Sequence, residues 1–206
     1  VAKAVHGRGS CQLLAGNIPA ALRDFDNARS VYQSHADGML AVVAVERARA
    51  LLAAGLHSDA ATELDFALKE FPRIRMDQEH AEAQLTRAQV ALAAGDLTTA
   101  KTWASRAESR FRRRGNETWA AVAAATRLRA DFKSHQRLGA VATQAAALEA
   151  RLASMGLDND AEAAGLVAAR AYIAGGRTDE ARQHIRQRSG SRSLLETRLM
   201  RRLALA

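Results

Sequence analysis

A glycine turn recurs along this chain at an almost constant interval. Gly16, Gly55 and Gly95 recur about every 40 residues, and each is followed at the fifth position by an alanine. Gly176, near the end of the chain, has the same alanine spacing. Self-similarity with a period of about 20 to 50 residues is typical of stacked repeat proteins. Because each repeat packs on its neighbours, such a chain should build an extended surface and not one deep pocket.

The composition favours helices throughout the chain. Alanine and leucine dominate the 206 residues, only two prolines occur, and no alternating valine-rich run indicates a strand. Glycines that end helices and polar residues that cap them divide the apolar pattern into segments. Helices are predicted at 2–14, 18–34, 38–54, 58–71, 76–94, 97–113, 116–134, 137–155, 159–174, 178–188 and 191–204. Pro72 is expected just beyond the fourth of these helices.

Short turns between long helices make neighbouring helices antiparallel, so the segments should form hairpins. The expected fold is an all-α, right-handed superhelix of about five helical hairpins plus a terminal helix. It would form one repeat domain over residues 1–206, with hairpins at about 1–36, 38–74, 76–114, 116–156 and 159–189 and a closing helix at 191–204. The fourth hairpin lacks the turn glycine and has Ser134, His135 and Gln136 in its place.

The two ends of the chain are expected to differ. The closing helix carries a leucine stripe on one side and charged residues on the other, which suits a terminal cap. No capping helix precedes the first hairpin, which opens directly with Val1, Ala4 and Val5. We therefore expect the N-terminal edge to be a cut surface, covered by an earlier repeat of a longer parent protein or by a second copy in weak self-association.

Small residues occupy the places where the two helices of a hairpin should cross closely, namely Gly9, Ala48 and Ala88. A bulky residue in the second helix, such as Phe25 or Leu64, is expected to pack against the next hairpin. This pattern of small, small, aromatic and small residues resembles the tetratricopeptide repeat (TPR), although the spacing here is about 40 residues, against 34 in that family. The resemblance implies a scaffold that binds proteins or peptides.

A narrower resemblance covers most of the chain. The segments 83–96 and 110–115, followed by Trp119, are similar to the TPR region that precedes the CHAT protease-like domain in actinobacterial proteins. The segments 161–182 and 196–205 look similar to the continuation of that region. The resemblance implies a caspase-like cysteine peptidase domain elsewhere in the parent protein, and it places no peptidase residue in this chain.

No catalytic set emerges from the sequence. Cys11 follows His6 by five positions, which places them about 140° from each other around a helix. His80 lies among carboxylates but has no second histidine at the spacing of a zinc-protease helix. We therefore expect no enzyme activity, no metal and no cofactor. A single cysteine and the lack of a long apolar run favour a cytoplasmic protein that does not span a membrane.

The first helix of each hairpin should line the concave side of the superhelix. The residues expected to face a partner there are His6, Ser10, Leu13, Val45, Arg49, Leu52, Leu85, Gln89 and Leu92. We expect this face to bind a peptide, a helix or another domain of the parent chain. A CHAT protease-like domain is one such partner that the resemblance implies. One alternative is a sensory or autoinhibitory arm of a multidomain regulator or of a CHAT peptidase, and another is RNA binding through the basic C-terminal half.

Charge is distributed unevenly along the chain. Residues 1–100 carry 10 basic and 12 acidic side chains, whereas residues 101–206 carry 20 basic and 10 acidic ones. The densest basic patch consists of Arg110, Arg112, Arg113 and Arg114. A solvated surface, an acidic protein partner and RNA are the three interpretations. Nucleic acid is disfavoured because the nine aromatic residues are mostly expected to pack between hairpins and not to stack on bases.

Four arginines recur with the period of the repeats. Arg8, Arg47, Arg87 and Arg127, called here the arginine ladder, lie one repeat apart from each other in successive first helices. One interpretation is a row of guanidinium groups that grip carboxylates of a partner. The other is that the arginine stems cover apolar surface between helices while their charged ends remain in water.

Overall fold

The computed structural model describes residues 2–33 and 37–186 of the chain, with the side chain of residue 37 left out. Within those residues it contains ten helices and no strand, which confirms the all-α fold class. The helices are α1 (Ala2–Leu14), α2 (Ile18–Tyr32), α3 (Asp37–Ala53), α4 (His57–Arg73), α5 (Asp77–Ala94), α6 (Leu97–Arg113), α7 (Glu117–Lys133), α8 (Leu138–Ser154), α9 (Asp158–Ala174) and α10 (Thr178–Arg186).

The helix ends follow the turn residues of the sequence. Each helix begins and ends within two residues of its predicted bounds, wherever the predicted bound is described. Gly16, Gly55 and Gly95 have φ angles of 77°, 77° and 83°, a left-handed conformation that costs glycine little. The predicted closing helix at 191–204 lies outside the described residues.

Pro72 corrects one of these predictions, because it lies inside α4 and not beyond its end. Proline has no N–H to donate to the preceding turn, which makes it costly in the middle of a helix. Here only Arg73 follows it, and the backbone N–H of Ile74 still donates to the carbonyl of Glu70 at 3.2 Å. The final turn therefore closes even though proline contributes no hydrogen bond of its own.

The chain divides into two compact units, with the boundary between Ala107 and Glu108 inside α6. In unit 1, which ends at Ala107, α1 packs on α2, α3 on α4, and α3 also contacts α1 and α5. In unit 2, which begins at Glu108, α8 packs on α7 and α9, and α9 also contacts α7 and α10. The single-domain organisation and the predicted hairpin limits stay predictions.

The core of unit 1 combines alanines with large aromatic and branched side chains. Phe25, Leu64 and Phe71 are completely or almost completely buried. A Cβ atom on Gly9 would lie 2.8 Å from the Cε1 atom of Phe25, so α1 approaches α2 closely because this position has no side chain. At the end of α1, Leu14 is 90% exposed, and the expected cut edge and self-association stay predictions.

The core of unit 2 is richer in alanine. It includes Val141, Leu148 and Leu152 together with alanines of α7, α8 and α9. The carboxylate of Glu149 is buried against Gly165, in the space that a side chain at that position would need. Small residues on α9 therefore let α8 approach closely enough for this acidic side chain to lie between the helices.

The turn between α7 and α8 has an unusual backbone. His135 and Arg137 both have φ angles of 54°, in the left-handed region that favours glycine. The sequence has no glycine in this turn, where Ser134, His135 and Gln136 replace it. A left-handed conformation costs a residue with a Cβ atom roughly 1–2 kcal/mol, so this turn is less favourable than the glycine turns.

Candidate protein-binding face

Helices α1, α3 and α5 lie side by side in unit 1, because α3 contacts both of the others. They are the first helices of the first three predicted hairpins, and they carry all nine residues expected to face a partner. The surface that these residues form is called here the α1/α3/α5 face.

The nine predicted residues differ in their exposure. Val45, Leu85 and Leu92 are buried and belong to the packing beneath the surface. The half-buried residues, which a partner could touch, are His6, Ser10, Leu13, Arg49, Leu52 and Gln89. The accessible part of the face is therefore mainly polar, with two leucines at the ends of α1 and α3.

Arg49 lies at the centre of a charged network on this face. Its Nη1 atom donates to Glu46 Oε1 at 2.5 Å, and its Nη2 atom lies 3.7 Å from Glu82 Oε2. Gln78 donates to the other oxygen of Glu82 at 3.0 Å. One guanidinium group thus joins α3 to α5 while all three charged side chains stay partly exposed.

The two carboxylates of this network were not among the residues predicted from the sequence. Glu46 lies three residues before Arg49, a spacing that brings two side chains together on a helix, and this signal was available. Glu82 belongs to the next first helix, so only the packing of α5 on α3 shows that it reaches Arg49.

His6 is fixed by two aromatic rings from α2. Its ring meets those of Phe25 and Tyr32 edge-on, with centroids 5.9 Å and 6.4 Å away. Burial lowers the pKa of His6 below its ordinary value, and the charge of Glu46 opposes this effect. His6 is therefore mainly neutral at pH 7, so it offers hydrogen bonding to a partner and not a positive charge.

The first two members of the arginine ladder pair with acidic side chains of second helices. Arg8 makes two hydrogen bonds to the carboxylate of Asp24, at 2.8 Å and 2.6 Å. Arg47 donates to Asp26 at 2.8 Å and to Glu63 at 2.9 Å. The Arg8 guanidinium holds the pKa of the Asp24 carboxyl below its ordinary value.

The other two members make the same kind of contact. Arg87 donates to Asp65 at 3.1 Å, and Arg127 donates to Glu108 at 3.1 Å and to Asp131 at 3.3 Å. All four ladder arginines therefore pair with a carboxylate on a second helix of their own unit. These pairs give the ladder a role in joining helices, and binding of a partner's carboxylates stays a prediction.

The sequence contained a signal for these pairs. Asp24 and Glu63 lie one repeat apart, and so do Asp26 and Asp65. Acidic side chains thus recur with the same period as the arginines. Matching periods of opposite charge indicate pairing inside the repeats, a conclusion that the arginine spacing alone does not give.

The basic patch lies at the end of α6, in unit 2. Arg112, Arg113 and Arg114 are exposed, whereas Arg110 is half-buried. Arg112 pairs with Glu108 at 2.7 Å, so part of the positive charge is balanced locally.

The described part of the chain contains no candidate metal site. No three His, Cys, Asp or Glu residues among those described lie close enough to hold a metal ion. Cys11 is exposed in α1. None of the helices in the described ranges has the length and apolar character required to cross a membrane.

No protein-family model and no curated protein sequence matches this chain. Solved structures do resemble it. One is a Podosopora anserina protein named as a putative kinesin light chain, whose TPR-like repeats are nearly identical to one another. Its sequence is 15% identical to that of this chain, and the two structures match with a TM-score of 0.74 over 98% of this chain and 95% of that one. A Rap protein complexed with Competence and Sporulation Factor is 12% identical, with a TM-score of 0.76, over 98% of this chain and 55% of that one.

A second Rap structure is also similar to this chain. The Rap conjugation gene regulator of the plasmid pLS20, in complex with the Phr* peptide, is 13% identical over 86% of this chain and 49% of that one, with a TM-score of 0.67. This chain spans about half the length of both Rap chains. At these identities the likeness concerns the fold alone, and it shows that the chain has a TPR-like helical repeat fold.

Proposed function

We propose that this chain is a non-catalytic protein-interaction module whose α1/α3/α5 face binds a peptide or a helix of a partner. The observation that carries the proposal is the row of half-buried polar side chains across three neighbouring helices, with His6, Arg49 and Gln89 as its members. Such a row offers hydrogen bonds along an extended ligand, whereas no described cluster of His, Cys, Asp or Glu could hold a metal.

Arg49 is the anchor of the proposed binding face. Its guanidinium group has five donors in a planar fork, and its two carboxylate partners lie at 2.5 Å and 3.7 Å. The longer contact, to Glu82, is the one that a ligand's carboxylate or backbone carbonyl would replace. Leu13 and Leu52 add apolar surface at the ends of α1 and α3.

The comparisons support a peptide as the kind of partner. A Rap structure that holds the Phr* peptide has a similar fold over 86% of this chain. The resemblance to the region before CHAT domains adds a second source of ligand, namely a segment of the same parent protein. In that case the module would act on its own parent chain, as an autoinhibitory arm does.

The test is an array of short synthetic peptides with varied charge and apolar content, including peptides tiled from any sequence that flanks residues 1–206 in the gene. The array is probed with the wild-type chain and with the R49Q variant. Loss of one hydrogen bond to a charged group costs about 1.5–3 kcal/mol, so R49Q should weaken selected peptides by about tenfold or more.

The matched control is R73Q. Arg73 pairs with Glu70 three residues earlier, as Arg49 does with Glu46, but it lies on α4 with a side chain that is 73% exposed. R73Q should bind the selected peptides as the wild type does. An array without any bound peptide, or equal losses in R49Q and R73Q, would contradict the proposed function.

A further inference from the structure

The turn between α6 and α7 presents an exposed aromatic ring. Trp119, in the first turn of α7, stacks on Phe111 with ring centroids 5.9 Å apart and planes inclined by 27°. Phe111 is completely buried, but Trp119 is 39% exposed. Among the large apolar side chains that the described structure exposes, Trp119 is the aromatic one. One part of its indole is held against a buried ring, and the exposed part offers aromatic surface to a ligand.

The backbone holds this ring in position. The side chain of Asn116 caps α7 by accepting the backbone N–H of Trp119 at 3.2 Å. The backbone N–H of Asn116 donates to the carbonyl of Phe111 at 2.9 Å. Stacking and capping together connect the end of α6 to the start of α7, so little order has to be gained when a ligand binds.

Three arginines lie close to the exposed ring in the sequence. Arg112, Arg113 and Arg114 are exposed within seven residues of Trp119. Arg113 donates to the hydroxyl oxygen of Ser109 at 2.9 Å, a neutral partner that leaves its charge unbalanced.

The nearby carboxylates are already engaged with other cations. Glu108 pairs with Arg112 at 2.7 Å and with Arg127 at 3.1 Å. Glu117, which opens α7, pairs with Arg151 of α8. These acidic side chains therefore do little to repel an anion that approaches the turn.

We propose that residues 111–119 form a binding surface for single-stranded nucleic acid, with a base stacked on Trp119 and phosphates held by Arg113 and Arg114. Aromatic stacking and backbone neutralisation by cations are the two elements of such recognition, and both occur here within nine residues. An acidic peptide would use the arginines but gain little from the indole.

The second tryptophan shows why exposure decides whether a base can stack on the ring. Trp103, on α6 in unit 1, is half-buried, and the guanidinium group of Arg106 lies over its ring at 4.8 Å. A base could stack there only by displacing that cation. The sequence disfavoured nucleic acid because its aromatic residues were expected to pack, and the exposure of Trp119 removes that objection.

The experiment measures fluorescence anisotropy of a labelled 12-nucleotide single-stranded RNA with the full chain, between about 50 and 200 mM salt. Two phosphate contacts, one for each arginine, should give a slope of about −1.4 for log K against log salt. The same assay uses a duplex of equal length and a polyglutamate peptide as competing probes, and both should bind more weakly than the single strand.

Two sets of variants separate stacking from charge. W119L keeps apolar contact with Phe111 but removes the stacking surface, and it should weaken binding of the single strand about tenfold. R113Q combined with R114Q should also weaken binding and make the salt slope shallower by about 1.4, because both phosphate contacts are lost. The matched controls, W103L and R73Q, should bind as the wild type does, and circular dichroism should show each variant folded.

Several results would overturn the proposal. The first is undetectable binding of the 12-mer at the lowest salt concentration. The second is polyglutamate binding as tight as that of RNA, with W119L unchanged, which would assign the surface to an acidic protein. If W119L proves unfolded, the double variant R113Q/R114Q alone tests the proposal. Unchanged RNA affinity in that variant would contradict it.

Discussion

Units 1 and 2 fill their cores in different ways. In unit 1, the core includes Phe25 of α2 and Leu64 and Phe71 of α4, which are completely or almost completely buried. In unit 2, eight of the twelve buried residues in the core cluster of α7, α8 and α9 are alanines and none is aromatic, whereas nine of the seventeen in the two clusters of unit 1 are alanines. Burial of a leucine or phenylalanine contributes about 1.5–3 kcal/mol, far more than an alanine can.

One buried carboxylate of unit 2 is held differently from those of unit 1. In unit 1, Asp24 and Glu63 are each held by arginines of neighbouring helices. In unit 2, Glu149 lies against the bare backbone of Gly165, with His184 Nε2 2.8 Å from its Oε2 atom. Arginine pairing recurs in unit 2 at Glu108, which pairs with Arg112 and Arg127, whereas at Gly165 the space for a buried carboxylate is kept open by a glycine.

The largest effect is expected for F25A in unit 1. Phe25 is completely buried, and truncation of such a side chain costs about 3–5 kcal/mol of unfolding free energy. Urea unfolding followed by circular dichroism measures the loss. V31A, on the same helix at a position that is 43% exposed, should change stability by less than about 0.5 kcal/mol. A loss in F25A no larger than that in V31A would mean that Phe25 is not a core residue.

The next largest effect tests the space kept open in unit 2. In G165A the new methyl group would overlap the buried carboxylate of Glu149, and overpacking of this kind costs about 1–3 kcal/mol. The control is G139A in α8, where an added Cβ atom meets nothing within 4 Å and only helix propensity changes. Equal stability of the two variants in urea would contradict the role given to Gly165.

A smaller gain is expected at the turn without glycine. H135G removes the cost of a left-handed conformation at φ 54° and should raise the unfolding free energy by about 1 kcal/mol. The reverse change, G115A at φ 69°, should lower it by a similar amount. Thermal melts of H135G, G115A and the wild type measure the two changes in stability. A lower melting temperature in H135G would show that the histidine side chain stabilises the turn more than its backbone costs.

The smallest effect concerns pH. Because burial lowers the pKa of His6, the unfolded state takes up its proton first as the pH falls below about 6.5. Stability should therefore fall from pH 7.5 towards the lower pKa of the folded state, and less so in H6Q. Urea unfolding at several pH values compares the two proteins. A wild type that gains stability on acidification relative to H6Q would reverse the sign of this prediction.

Much of the fold could be predicted because its determinants are local. The repeated glycines mark turns by their backbone freedom, and Gly9 with Phe25 marks a close helix crossing within a single hairpin. Pro72 was placed wrongly because the cost of proline depends on how much helix follows it, and only Arg73 does.

The candidate site was less predictable because exposure depends on packing between helices. Val45 and Arg49 carry equal weight in the sequence pattern, yet the first is buried and the second is partly exposed. Glu82 joins Arg49 only through the packing of α5 on α3, and no spacing within one helix indicates that contact. Trp119 on α7 likewise stacks on Phe111 of α6 and stays 39% exposed, and no spacing within one helix indicates this contact.

The most direct test of the central claim is an NMR titration of the chain with the tightest peptide from the array. Backbone amide shifts should change along α1, α3 and α5, with the largest changes near His6, Arg49 and Gln89. R49Q should lose these changes, whereas R73Q should keep them. Shifts confined to the second helices α2 and α4, or to unit 2, would contradict the assignment of the α1/α3/α5 face as the binding surface.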